Sequence, residues 1–116
     1  MATQPERWQA QADDAAVLRL NIPADGQRRR VFEISLAMQV RAVDGATAPW
    51  HEMRVEANGE LEWQRRVPTE HPADYDGLDY RFQRSVGVGH ELRIRLLAAG
   101  QQVRRLRLQI EADEVL

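Results

Sequence analysis

Phe32-Glu33-Ile34-Ser35-Leu36-Ala37-Met38-Gln39-Val40-Arg41-Ala42 is the stretch whose reading decides the fold. Phe32, Ile34, Leu36, Met38, Val40 and Ala42 fall on one side of an extended chain, and Glu33, Ser35, Gln39 and Arg41 fall on the other. Successive side chains of a strand point to opposite faces, so this period of two marks a half-buried strand. A helix competes, since Phe32, Leu36, Val40 and Val43 also share a helical face. The unbroken alternation favours the strand.

The same period extends in both directions. Upstream, Leu18, Leu20 and Ile22 alternate with Arg19 and Asn21, and Pro23-Ala24-Asp25-Gly26 closes a turn. Downstream, strands at about 50–57 and 60–67 flank Asn58-Gly59, a strong hairpin signal. A two-residue loop would pair Val55 with Glu62 and Met53 with Gln64, mixing apolar and polar groups on both faces. A three-residue loop, Ala57-Asn58-Gly59, sets Val55 against Leu61 and Met53 against Trp63 on one face. It sets Arg54 against Glu62 and Trp50 against Arg66 on the other. A one-residue slip moves every side chain to the wrong face, so the expected form is a type I turn with Gly59 left-handed in a G1 bulge.

Pro68 to Gly77 reads as a loop long enough to cross between sheets. Leu78, Tyr80 and Phe82 alternate with Asp79, Arg81 and Gln83, and Gly87 and Gly89 end that strand. Leu92, Ile94 and Leu96 make the next, Ala99-Gly100 turns it, and Leu106, Leu108 and Ile110 make the last. Val103 is out of phase with Leu106, which predicts a bulge near Arg104-Arg105. About seven short strands favour an all-β chain: a single-domain antiparallel β-sandwich rather than a barrel. Asp76, Leu78, Tyr80 and Phe82 have the spacing of the Asp-x-Ala-x-Tyr-x-Cys stretch, with Phe82 in the cysteine's place. That stretch resembles the tyrosine corner of immunoglobulin-like sandwiches, and the resemblance implies a sandwich of that kind.

The expected organisation is a frayed tail or short helix over 1–15, with Trp8 pinned to the body, a sandwich domain over 16–112, and a tail over 113–116. At 116 residues the chain suits one domain with a core of its own. It has no cysteine, so thiolate chemistry and Cys-ligated zinc are excluded. The first residues lack the layout of a signal peptide, and no apolar run approaches the roughly 20 residues of a membrane-spanning helix. The expected location is the cytoplasm.

A net charge of −2 argues against binding nucleic acid by bulk charge, yet all 16 basic residues are arginine. With a hairpin tip at Ala99-Gly100, Leu96 sits opposite Val103, Ile94 opposite Leu106 and Leu92 opposite Leu108. The other face then gathers Arg93, Arg95, Arg105 and Arg107, with Arg104 at the bulge. Like charges directly opposite each other cost about a few tenths of a kcal/mol per pair. Either carboxylates on neighbouring strands, such as Glu33, Glu62 and Asp79, offset them, or an external anion does. Trp50 and Tyr80 would add stacking for single-stranded nucleic acid. Arg28-Arg29-Arg30 reads as a solvated turn.

Other constellations are weaker. Asp74, Asp76 and Asp79 suggest a calcium loop, but Arg81, Phe82 and Arg84 stand where further ligands belong, so turn chemistry is the better account. His51, His71 and His90 lack metal-ligand spacing. Ser35 and Ser85 lie outside a G-x-S-x-G context, and Glu60 and Glu62 share one hairpin arm, as solvated carboxylates would. No nucleophile–base pair emerges. The sequence therefore reads as a non-catalytic interaction module with no cofactor or metal, whose partner is a protein or a second copy. The alternatives are an anion-binding domain using the arginine hairpin, for single-stranded nucleic acid or an acidic polymer, and a carbohydrate-binding module using Trp50, with Trp8 as a second candidate.

Overall fold

The structure is a computed structural model that describes residues 4–70 and 74–116. Eight strands account for most of these residues: β1 (Arg7–Ala12), β2 (Val17–Ile22), β3 (Arg30–Ala42), β4 (Trp50–Ala57), β5 (Glu60–Pro68), β6 (Asp76–Val86), β7 (Leu92–Gln101) and β8 (Val103–Glu114). They form two four-stranded antiparallel sheets, ordered β1-β8-β3-β6 and β2-β7-β4-β5. The all-β sandwich expected from the period of two is the observed architecture. No helix of the described residues is long and apolar enough to cross a membrane.

The alternation explains the layers. Phe32, Ile34, Leu36, Met38, Val40 and Ala42 are all buried, and they face Met53, Val55, Leu92, Ile94 and Leu96 from the second sheet. Leu108, Ile110 and Ile22 complete the centre. Each fully buried side chain of this size contributes about 1.5–3 kcal/mol, so the inner rows fix which face of each strand turns inward.

Only β4 and β5 are both consecutive in sequence and hydrogen-bonded; every other connection between the described strands passes from one sheet to the other. β5 and β6 lie in different sheets, as expected for the chain between them, with Pro68 ending β5 and Asp76 and Gly77 opening β6. The last two strands do not form the expected hairpin. β7 continues through Ala99-Gly100 to Gln101 and pairs with β2 and β4, whereas β8 pairs with β1 and β3. The reversal falls at Gln102, which takes a left-handed φ of 57°. Both strands carry an apolar row, and each sheet needs such a strand at its centre, so burial separates them. Gly100 permits the turn: a Cβ there would run into the Val103 side chain and stand 3.1 Å from the Trp50 carbonyl oxygen.

Two further expectations need correction. Residues 7–12 are a strand rather than a frayed tail or short helix, because Trp8 and Ala10 pack on the core and β8 offers a partner edge. That edge extends β8 to Glu114, so Asp113 and Glu114 belong to the sheet, not to a tail. The bulge expected in β8 near Arg104-Arg105 forms at Leu106, between the Val40–Arg105 and Gln39–Arg107 pairs.

The hairpin register also differs. Asn58 (φ 50°) and Gly59 (φ 81°) are both left-handed, and Ala57 pairs directly with Glu60. This is the two-residue type I′ turn, whose twist suits right-twisted strands. The face mismatch that the sequence reading assigned to loop length is resolved one step later: β5 bulges at Glu62, so Glu56 meets Leu61 and Val55 meets Trp63. Trp63 turns inward as expected, but Leu61 is outward and 54% exposed.

Candidate interaction surface

Separation of β7 from β8 divides the five arginines between two sheets. Arg93 and Arg95 lie on the outer face of the β2-β7-β4-β5 sheet, where Arg95 is 3.4 Å from Glu56 and Arg93 is 3.5 Å from Glu91. Arg54 shares Glu56 at 2.9 Å. On the other sheet, the bulge turns Arg105 inward opposite Val40, with Nη2 3.9 Å from Asp14 and a buried Nε that has no hydrogen-bond partner. Arg104 and Arg107 point outward, opposite Arg41 and Gln39, and Arg107 donates to Gln11 Oε1 at 2.6 Å. A single five-arginine ribbon is therefore absent, because the hairpin it required does not form.

Trp50 and Tyr80 are also apart. Trp50 stands on the outer face of β4, its ring 3.7 Å from the Arg66 guanidinium and its Nε1 donating to Gln101 Oε1 at 2.9 Å. Tyr80 points inward from β6, stacked on Trp63 at 4.7 Å and on Phe82 at 5.7 Å. Its hydroxyl donates to Glu62 Oε1 at 3.2 Å, so the likeness to a tyrosine corner does not extend to that motif's backbone hydrogen bond. Burial pushes the hydroxyl above the ordinary tyrosine range, and the neighbouring Glu62 carboxylate adds to the shift.

What the topology does assemble is a groove on the outer face of the β1-β8-β3-β6 sheet. Cavities of about 190, 540 and 440 Å³ follow one another along β3. The first two share Ala37, Asp79 and Gln109; the last two share Gln39 and Tyr75. The floor is low because Ser35, Ala37 and Gly77 are small. Glu111, Gln109, Arg107 and Arg104 of β8 line one side, and Arg81, Asp79 and the exposed Tyr75 line the other. From Ser35 to Arg41 the strand rises roughly 20 Å. The lining offers amide, guanidinium and carboxylate groups with one aromatic ring. Sequence reading placed Ser35, Gln39 and Arg41 on an outward face but could not see the groove, since its walls come from strands far apart in sequence.

At one end of the sandwich an ion network closes the molecule. Arg28 binds both oxygens of Glu114, through Nη1 and, at 2.8 Å, through Nη2, and also binds Glu6 Oε2 at 2.8 Å. Arg30 donates to Glu6 Oε1 at 2.9 Å and to the Pro23 carbonyl at 2.8 Å. Trp8 Nε1 donates to Glu6 Oε1, and the Glu6 amide to Glu114 Oε1, both at 3.0 Å. The Glu114 and Arg30 side chains are only 2% exposed. The run Arg28-Arg29-Arg30 is thus not a solvated turn; Arg28 ties Glu6, just before the first strand, to Glu114 in the last, and Arg30 ties Glu6 to the Pro23 carbonyl. The hydrogen bond from Arg28 holds the Glu114 carboxyl below the usual range against the opposing effect of burial. The same bond raises Arg28 further above its ordinary value. The Gln27 amide, followed by that of Arg28, lowers Asp25.

The remaining candidates have structural partners. His51 is fully buried, with Nε2 donating to the Gly77 carbonyl at 3.2 Å and Nδ1 accepting from the Thr69 hydroxyl at 2.7 Å. His90 is exposed in the turn before β7, and His71 lies outside the described residues. Asp74 accepts the Tyr75 amide, and Asp76 accepts the Gly77 and Glu70 amides, which is turn chemistry. Ser35 lies in the groove and Ser85 is exposed on β6, while Glu60 is exposed and Glu62 holds Tyr80. No group of three or more His, Cys, Asp or Glu suited to a metal ion occurs among the described residues.

No known protein family and no curated protein matches the sequence. Among solved structures, the chain is similar to dimeric latent PorU from Porphyromonas gingivalis, with 16% identity and a TM-score of 0.51 over 94% of this chain. The chain spans 11% of that protein, and at this identity the likeness concerns the fold alone.

Proposed function

We propose that this chain is a non-catalytic interaction module that binds an extended segment of a partner protein in the groove along β3. The observation that carries the reading is the groove itself: it follows β3 from Ser35 to Arg41, about as long as six or seven extended residues, lies low over Ser35, Ala37 and Gly77, and is walled by hydrogen-bonding groups of both charges. Balanced Arg107, Arg81, Asp79 and Glu111 favour a polar chain of mixed charge over a polyanion. The proposal takes the setting to be cytoplasmic.

Ala37→Trp tests it, because Ala37 is exposed on the groove floor and contributes nothing to the core. Peptides selected from a displayed library should bind the native chain and lose at least about tenfold in affinity against Ala37→Trp. A selection that yields no sequence distinguishing the two proteins refutes the groove.

A second reading keeps the anion. Arg41, Arg104 and Arg107 cluster around Gln39 and Tyr75, and none of the three forms an ion pair among the described residues. A short single-stranded oligonucleotide should then shift the amides of residues 39–44 and 104–107 at low salt, with the shifts fading as salt rises. Shifts elsewhere, or none, remove this reading.

A further inference from the structure

The edges of the two sheets differ in how well they are protected. β1 and β2 are six residues long, and β5 carries a bulge and ends in Pro68. Short strands, bulges, proline and charged side chains are the usual devices that stop an edge from pairing with another chain. β6 has none of the first three, and its outward charges Asp79 and Arg81 are of opposite sign. It runs for eleven residues in unbroken register with β3, and no described strand pairs with its other side.

The sequence of that edge is self-complementary. Two copies that pair antiparallel about a twofold axis perpendicular to the sheet keep inner side chains against inner and outer against outer. One residue must then face its own copy. With Tyr80 at the axis, Asp79 faces Arg81 and Arg81 faces Asp79 on the outer face, and Gly77 faces Gln83. On the inner face Leu78 meets Phe82, and Asp76 meets Arg84. Moving the axis one residue either way sets Asp79 against Asp79 or Arg81 against Arg81. Like charges opposite each other repel, so the charge pattern selects the Tyr80 register from its neighbours.

The side chains are available for this. Arg81 is 71% exposed, with only a 3.5 Å contact to Glu33, and Asp79 is exposed. The half-buried row Leu78, Tyr80 and Phe82 gains apolar cover from the same residues of the second copy. We infer that the chain self-associates through β6, forming a twofold dimer in which two β1-β8-β3-β6 sheets join edge to edge into one of eight strands. The proposal does not depend on what the groove binds.

Charge exchange tests it. Asp79→Arg sets arginine against arginine at both symmetric contacts across the axis, and Arg81→Asp sets aspartate against aspartate at the same two contacts. Each variant alone should weaken dimerisation about tenfold or more in sedimentation equilibrium. An equimolar mixture of the two restores both opposite-charge pairs and should dimerise as the native chain does. The doubly exchanged chain, Asp79→Arg with Arg81→Asp, should behave likewise. As a measurement on the native chain, the alternate β6 amides that face away from β3 should gain hydrogen-exchange protection as concentration rises. A native chain that stays monomeric to millimolar concentration overturns the inference. Single variants that dimerise normally, a mixture of folded variants that stays monomeric, or protection confined to other strands would also overturn it.

Discussion

Glu114→Gln is the substitution that most directly probes how this sandwich is closed. Glu114 is 2% exposed and accepts hydrogen bonds from both Arg28 guanidinium nitrogens and from the Glu6 amide. Glutamine keeps the volume and one acceptor oxygen, but it turns an ionic pair into a neutral one and offers an amide where Arg28 presents only donors. At least one charge-assisted hydrogen bond is lost, which costs about 1.5–3 kcal/mol. For a chain of this length that lowers the melting temperature by roughly 5–15 °C. The pH dependence separates this cause from simple misfit. The Glu114 carboxyl titrates below its ordinary value because of Arg28, so its contribution is present above the unfolded value and disappears as pH falls through the folded one. The gap in stability between native and variant chains should be full above about pH 5 and narrow as the pH falls below the ordinary carboxylate range toward the lowered folded value. Urea unfolding at a series of pH values measures it. A gap under about 0.5 kcal/mol at neutral pH, or one that persists unchanged in acid, refutes the reasoning.

Backbone geometry gives two more expectations. Gly77→Ala drives a Cβ into the Met38 carbonyl oxygen and disturbs the carbonyl that accepts from His51, so it should cost about 2–3 kcal/mol by thermal or urea melting. Gly59→Ala has open space around its Cβ but must hold φ at 81°, so it should cost only about 1 kcal/mol and leave the hairpin register intact by NMR.

The sequence determined the elements and their faces. Apolar residues at every second position commit β2, β3, β4 and β7 to one inward side regardless of neighbours, because burying the wrong row would expose a line of large apolar groups. The glycines after Val86 and the loop after Pro68 were equally legible, since backbone freedom and chain length are local properties. Strand pairing was not legible. The last two strands satisfy a hairpin pattern as well as they satisfy two separate sheets. The choice rests on which strands elsewhere need a partner, information spread from Trp8 to Ala112.

The same limit governs the surface. The five-arginine face was a deduction from an adjacency that burial overrode, and it disappeared with that adjacency. The groove joins Ser35, Ala37 and Gln39 to Gln109 and Asp79, and the closing network joins Glu6, Arg28 and Glu114. Neither is visible in a one-dimensional pattern, because alternation sets which way a side chain points but not which strand lies beside it. Only the tertiary structure, by minimising exposed apolar surface over the whole chain, decided those neighbours.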